Sequence, residues 1–129
     1  MPQTPVVFYQ DADGTSPVLE WLIEVKRENP KAFAKCLVRI ERLRMLGHEL
    51  RRPEADLLRN GIYELRIRLG TVNYRLLYFL HGRQIAVVAH GLTKEDVVPA
   101  SDINRAAARM RLFESDPETH CLETKGLPL

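Results

Sequence analysis

Residues 59–94 read RNGIYELRIRLG, TVNYRLLYFLHG and RQIAVVAHGLTK in succession, three strand-like runs joined by short turns at Gly70 and Gly82. In the first run Tyr63, Leu65, Ile67 and Leu69 alternate with Glu64, Arg66 and Arg68, the period of a half-buried strand. A two-residue turn at Gly70-Thr71 sets Arg66 opposite Arg75 and Arg68 opposite Asn73. A two-residue turn at His81-Gly82 sets Asn73 opposite His90 and Arg75 opposite Val88. Sliding either turn by one residue changes the exact partners but not the face, so Arg66, Arg68, Asn73, Arg75 and His90 stay together. Like charges opposed across a sheet are destabilising. An anion between them relieves the repulsion, and phosphate suits the guanidinium fork.

Around this meander the chain reads as a single α+β domain. Pro5 to Asp11 alternates and is rich in Val, Phe and Tyr, a first strand. Ser16-Pro17 is an N-cap and first-position pair that opens a helix through about Arg27. Asn29-Pro30 repeats the signal and opens a second helix whose stripe is Phe33, Leu37, Ile40, Leu43 and Leu46, ended by Gly47. Residues 48–60 read as an irregular basic connection. After the meander, Pro99 and Ser101 begin a last helix with Ile103, Ala106 or Ala107, Met110 and Phe113 on one stripe. The predicted order is β-α-α-β-β-β-α, a helical hairpin on a small sheet with an antiparallel three-strand meander. The domain spans residues 1–114, and 115–129 is expected to be a flexible tail.

The net charge of +2 conceals an uneven distribution. Residues 1–30 and 114–129 each carry −3, whereas residues 31–113 carry sixteen basic and eight acidic side chains. A central body at +8 favours a polyanionic partner. No apolar run approaches the roughly 18 residues that span a bilayer, and no secretory signal opens the chain, so a cytoplasmic protein without membrane contact is expected. Cys36 and Cys121 stand in no metal-ligand spacing and read as reduced thiols. No metal or cofactor is predicted.

Three stretches, LRRPEADLLRNGIYELRIR, VNYRLLYFLHG and AHGLTKEDVVPASDINRA, resemble the RelE/HigB/ParE toxin superfamily of bacterial toxin–antitoxin modules. The resemblance covers roughly residues 5–113 and is nearest to the HigB-like, phage-killer-protein branch. It implies a type II toxin, a ribosome-dependent messenger RNA endonuclease, neutralised by a cognate helix-turn-helix antitoxin through which the complex binds operator DNA. By position, Arg66 and Arg68 match the basic residues of the family's first meander strand. Arg75 matches the Arg of its YRL motif, and Lys94 falls near the basic residues after the last strand. Glu64 stands where the RelE pattern has a basic residue. No tyrosine follows Tyr78, so the C-terminal Tyr of RelE members is absent and His90 is the nearest substitute.

Metal-free RNA cleavage needs the 2′-hydroxyl to lose a proton and attack the adjacent phosphate while fixed cations stabilise the developing charge. Arg66 and Arg75 fit that role, the alternative for Arg75 being an ion pair with Glu64. His90 has the pKa range of an acid–base group, or is a satisfied structural histidine. Lys94 suits the leaving oxygen or is an exposed lysine. Arg51, Arg52 and Arg68 are assigned to RNA backbone, the alternative being solvated charges. A ParE-like gyrase inhibitor and a non-catalytic binding module of the same fold compete with the nuclease reading.

Overall fold

The structure, a computed structural model, describes residues 3–93 and 97–125. Its elements are β1 (Val6–Tyr9), α1 (Pro17–Glu28), α2 (Pro30–Leu46), β2 (Ala55–Arg59), β3 (Ile62–Leu69), β4 (Val72–His81), β5 (Ile85–Thr93), α3 (Ala100–Ser115), α4 (Pro117–His120) and β6 (Cys121–Glu123). The fold is α+β, built on one sheet of order β2-β3-β4-β5-β1-β6. Among the described residues only the β1–β5 pairing is parallel.

Two caps set the helical hairpin. The Ser16 hydroxyl accepts from Leu19 N at 3.3 Å and donates to Tyr9 O at 2.8 Å, tying the start of α1 to the end of β1. Asn29 serves both helices: its N–H closes α1 on Val25 O at 2.7 Å, and its side chain accepts from Ala32 N at the head of α2. The hairpin covers one face of the sheet, where Val18, Leu22, Phe33, Cys36, Ile40 and Leu43 pack on Phe8, Leu65, Ile67, Leu76, Tyr78 and Val88. On the opposite face Ile103, Ala106, Ala107 and Phe113 of α3 pack on Tyr9, Ile62, Leu77, Phe79, Val87 and Leu92. Among the described residues no helix is long and apolar enough to cross a membrane.

The β3–β4 register is the one expected, with Arg66 opposite Arg75 and Arg68 opposite Asn73 around a turn whose Gly70 has φ +63. The β4–β5 register differs. Its turn takes three residues, 82–84, with Gly82 and Arg83 both at positive φ, and His81 pairs with Ile85. A bulge follows: Tyr78 pairs with Val88 but Leu77 pairs with His90, leaving Ala89 as the extra residue. Arg75 therefore faces Leu92, and His90 faces Leu77 rather than Asn73. The apolar pairs Phe79–Val87 and Leu80–Ala86 hold this register.

Two further corrections concern the sheet edges. The connection expected over 48–60 contains β2, which pairs with β3 through an Asn60-Gly61 turn at φ +54 and +80. Within the expected flexible tail, Pro117–His120 forms α4 and Cys121–Glu123 forms β6 instead. β6 pairs with β1 from Val7–Glu123 to Tyr9–Cys121, and His120 stacks on Tyr9 at 5.3 Å. The His120 Nδ1–H donates to Gln10 O at 2.8 Å, and Thr124 donates to Val6 O at 2.7 Å. Residue-by-residue polarity hid β6, because its contacts lie more than a hundred residues away in sequence.

Gly91 in β5 lies directly beneath the Trp21 indole, and a methyl group there would overlap the ring. Gly91→Ala is expected to cost about 1–3 kcal/mol, the range for overpacking. The shift of its urea midpoint against wild type measures this.

Candidate anion-binding cleft

Beyond the cover of α3, the second face of the sheet turns charged. Glu64, Arg66 and Arg68 alternate down β3 and are met by Leu77, Arg75 and Asn73 of β4. The ends of these strands open on a cleft of about 550 Å³. Arg66, Arg68, Asn73 and Arg75 line it with Ile67 and Tyr74, together with Arg39 of α2 and Pro53 from the loop before β2. Four of the five polar residues grouped by the sequence thus share one cavity.

Three carboxylates lie among six guanidiniums. Glu54 takes Arg39 at 2.7 Å and Arg42 at 2.9 Å. Asp56 takes Arg52 at 2.7 Å and Arg66 at 3.3 Å. Glu64 takes Arg75 at 2.9 Å and Arg66 at 3.2 Å. Arg68 has its Nε on Gly70 O at 3.0 Å instead. The hydrogen bonds from Arg42, then Arg39, hold the Glu54 carboxyl below the usual range, and Arg52 does the same for Asp56. Glu54 and Asp56 thus keep their charge at neutral pH, and the six guanidiniums outnumber the three carboxylates by three.

The hydrogen-bond directions matter as much as the charges. Arg75 Nε and Arg66 Nε stand at ion-pair distance from Glu64 Oε1, but their N–H bonds are not aimed at it. Among the described residues, the buried side-chain polar atoms without a hydrogen-bond partner are Arg39 Nε, Arg66 Nε, Arg75 Nε, Arg75 Nη1 and Glu64 Oε1. Buried donors without partners are rare in native proteins, each costing about 1–3 kcal/mol. Here the four orphaned donors belong to three arginines of one cleft.

The remaining sequence-selected residues lie elsewhere. Lys94 falls outside the described residues. Arg52 is exposed and bound to Asp56. Arg51 donates to the carbonyls of Leu50, at 3.0 Å, and His48. Neither lines the cleft. Cys36 is buried, and burial pushes its thiol up to about 12.

His90 is not with the arginine pair, because the bulge and the longer turn shift it along β5. It is buried against α3, with Nε2 on Asp102 at 2.7 Å and Nδ1 on Arg109 Nη1 at 3.1 Å. Arg109 can only donate, so Nδ1 accepts and the ring proton sits on Nε2, donated to Asp102. Arg109 also donates to Ala89 O at 2.7 Å and lies over the Tyr9 ring. Both nitrogens of His90 are spent on holding α3 to β5.

Arg39, Asp102 and Arg109 were missed in the sequence. Lys35, Arg39 and Arg42 recur at helical spacing on α2, and Asp102 and Arg109 stand seven residues apart on one side of α3, so the periodicity was available.

Burial lowers the His90 pKa, Arg109 and Arg105 add to the shift, and Asp102 opposes it. Above its ordinary pKa, about 6.5, His90 is neutral folded and unfolded and its contribution is complete. As pH falls below that value the unfolded chain takes up the proton first, so stability is lost toward acid. The urea midpoint is expected to drop between pH 7 and pH 5, and to drop less in His90→Gln.

The sequence profile of the family described as phage-derived protein Gp49-like (DUF891) matches residues 24–111, from within α1 through most of α3 and including the whole cleft. No curated protein matches the chain. With more than half of its length matched, the chain belongs to the Gp49-like family of phage-derived proteins, which is a RelE/HigB-like toxin family.

Proposed function

We propose that this chain is the toxin of a type II toxin–antitoxin module, of the HigB-like branch, and that it cuts messenger RNA in the ribosome. One observation carries the reading: three arginines with unspent, buried N–H donors border one cleft, in a group with three positive charges in excess. A phosphodiester supplies what they lack, negative charge and several acceptor oxygens in a geometry that guanidinium forks match. Family membership brings a cognate antitoxin as partner. In this reading it is a helix-turn-helix protein that carries the pair to operator DNA.

The reaction is attack of the ribose 2′-oxygen on the adjacent phosphorus. The P–O bond to the 5′-oxygen breaks and a 2′,3′-cyclic phosphate forms. The 2′-hydroxyl proton passes to a base, and the 5′-oxygen takes up a proton as it leaves. Arg66 and Arg75 bind the non-bridging oxygens and stabilise the charge that grows on them. Arg68 and Arg39 hold the flanking backbone. Lys94, which directly follows β5, serves the leaving oxygen. His90, with both nitrogens occupied, supports the site by fixing α3 rather than by moving the proton.

Expression of the chain alone, with transcript 5′ ends mapped while translation runs and while it is blocked, tests the reading. Ribosome-dependent cuts are expected. Cuts that persist without ribosomes remove the ribosome from the mechanism, and intact messenger RNA with DNA damage points to a gyrase poison instead. Arg75→Ala is expected to reduce cutting about 10²–10³-fold, the cost of losing one transition-state donor, with an unchanged circular dichroism spectrum. Arg75→Lys restores only part of the activity, because a point charge lacks the fork. An Arg75→Ala variant that arrests growth like wild type would show the site to be misassigned.

A further inference from the structure

Arg66 and Arg75 are direct cross-strand partners, an arrangement that costs stability unless a negative charge lies close to both. Glu64 is that charge. It sits two residues before Arg66 on the same face of β3, is 4% exposed, and brings Oε1 to 2.9 Å from Arg75 Nε and 3.2 Å from Arg66 Nε. Oε1 accepts no hydrogen bond, and neither Nε–H finds another partner. Its other oxygen, Oε2, accepts from Arg66 Nη2 at 3.5 Å, so the carboxylate supplies Coulomb attraction and one long hydrogen bond while leaving the Nε donors of both guanidiniums unspent. Of the two arginines of the pair Asp56 touches only Arg66, and the Glu54 side chain reaches neither.

We infer that Glu64 is a positioning residue, an internal counter-ion that keeps the Arg66 and Arg75 side chains together until a phosphate takes them over. The inference rests on the reading of the cleft as a phosphate site. It makes carboxylate and phosphate competitors for the same two cations, so removing the carboxylate has two effects of opposite sign. The phosphate-free protein loses stability because the guanidiniums then repel each other. Phosphate binds more tightly, by about tenfold, the scale of one nearby charge lost from a partly desolvated site. A residue that only maintains the fold would produce the first effect without the second.

Glu64→Gln keeps the size of the side chain and removes its charge. Thermal unfolding of wild type, Glu64→Gln and Arg75→Ala is followed over a series of inorganic phosphate concentrations, with chloride holding ionic strength constant. Ligand that binds the folded state raises Tm according to its concentration relative to Kd. Glu64→Gln is expected to have the lower Tm without phosphate. Its half-maximal response should come at about one-tenth the phosphate that wild type needs, and Arg75→Ala should give no response. Equal phosphate dependence in Glu64→Gln and wild type overturns the inference, as does an undiminished response in Arg75→Ala. Should Glu64→Gln be unfolded without phosphate, refolding on its addition supports the inference and failure to refold at any concentration overturns it. RNA cutting does not enter this measurement. A protein that behaves as expected here yet cuts no RNA removes the nuclease reading alone.

Discussion

The pairing of Arg66 with Arg75 across β3 and β4 is the constraint around which the charged end of this molecule is arranged. Two guanidiniums cannot be held side by side on a sheet without compensation. Glu64 from below and Asp56 from the neighbouring edge strand provide it at ion-pair distance. The compensation is incomplete in a specific way: the Coulomb attraction is present, but the buried N–H donors have no acceptor. A binding site for an oxyanion has this character, because its ligand supplies the acceptors.

The rest of the fold keeps that pair in place. Glu54 fastens α2 to the sheet twice, its carboxylate holding Arg39 and Arg42 and its carbonyl accepting from Arg66 N at 2.8 Å. Lys35 of α2 reaches Arg68 O at 2.9 Å near the β3–β4 turn. On the other face, the Asp102–His90–Arg109 chain of hydrogen bonds locks α3 against β5, and Arg109 carries the contact to Tyr9 of β1. His90 is thereby separated from the arginines: the guanidiniums line a cleft at one end of the sheet, and the imidazole, bonded through both nitrogens, packs between β5 and α3.

The shared face of β3 and β4 was legible from strict alternation between Tyr63 and Leu69, and the two-residue turn at Gly70-Thr71 pointed to the pairing found. The helical hairpin was legible from Ser16-Pro17 and Asn29-Pro30, each of which caps a helix as its chemistry suggests. The β4–β5 register was not. A three-residue turn with Arg83 in the left-handed region and a bulge at Ala89 leave no unambiguous trace, and together they move His90 away from the arginines. β2 carried a usable signal in Asn60-Gly61, a dipeptide suited to tight hairpins, but its ADLLR run has neither alternation nor β-branched residues. The cleft's fourth arginine, Arg39, comes from a helix twenty-seven residues before Arg66; its helical spacing is readable, but its place beside these strands comes only from tertiary packing.

The central claim is that Arg66 and Arg75 act as one receptor for a single phosphate. Titration of the ¹⁵N-labelled protein with a short RNA carrying 2′-O-methyl groups, followed through the guanidinium Nε resonances, tests it directly. The account predicts that the Arg66 and Arg75 signals shift together with one affinity, and that both shifts vanish at high salt. RNA binding that leaves both signals unmoved, or that moves them with separate affinities, would contradict it.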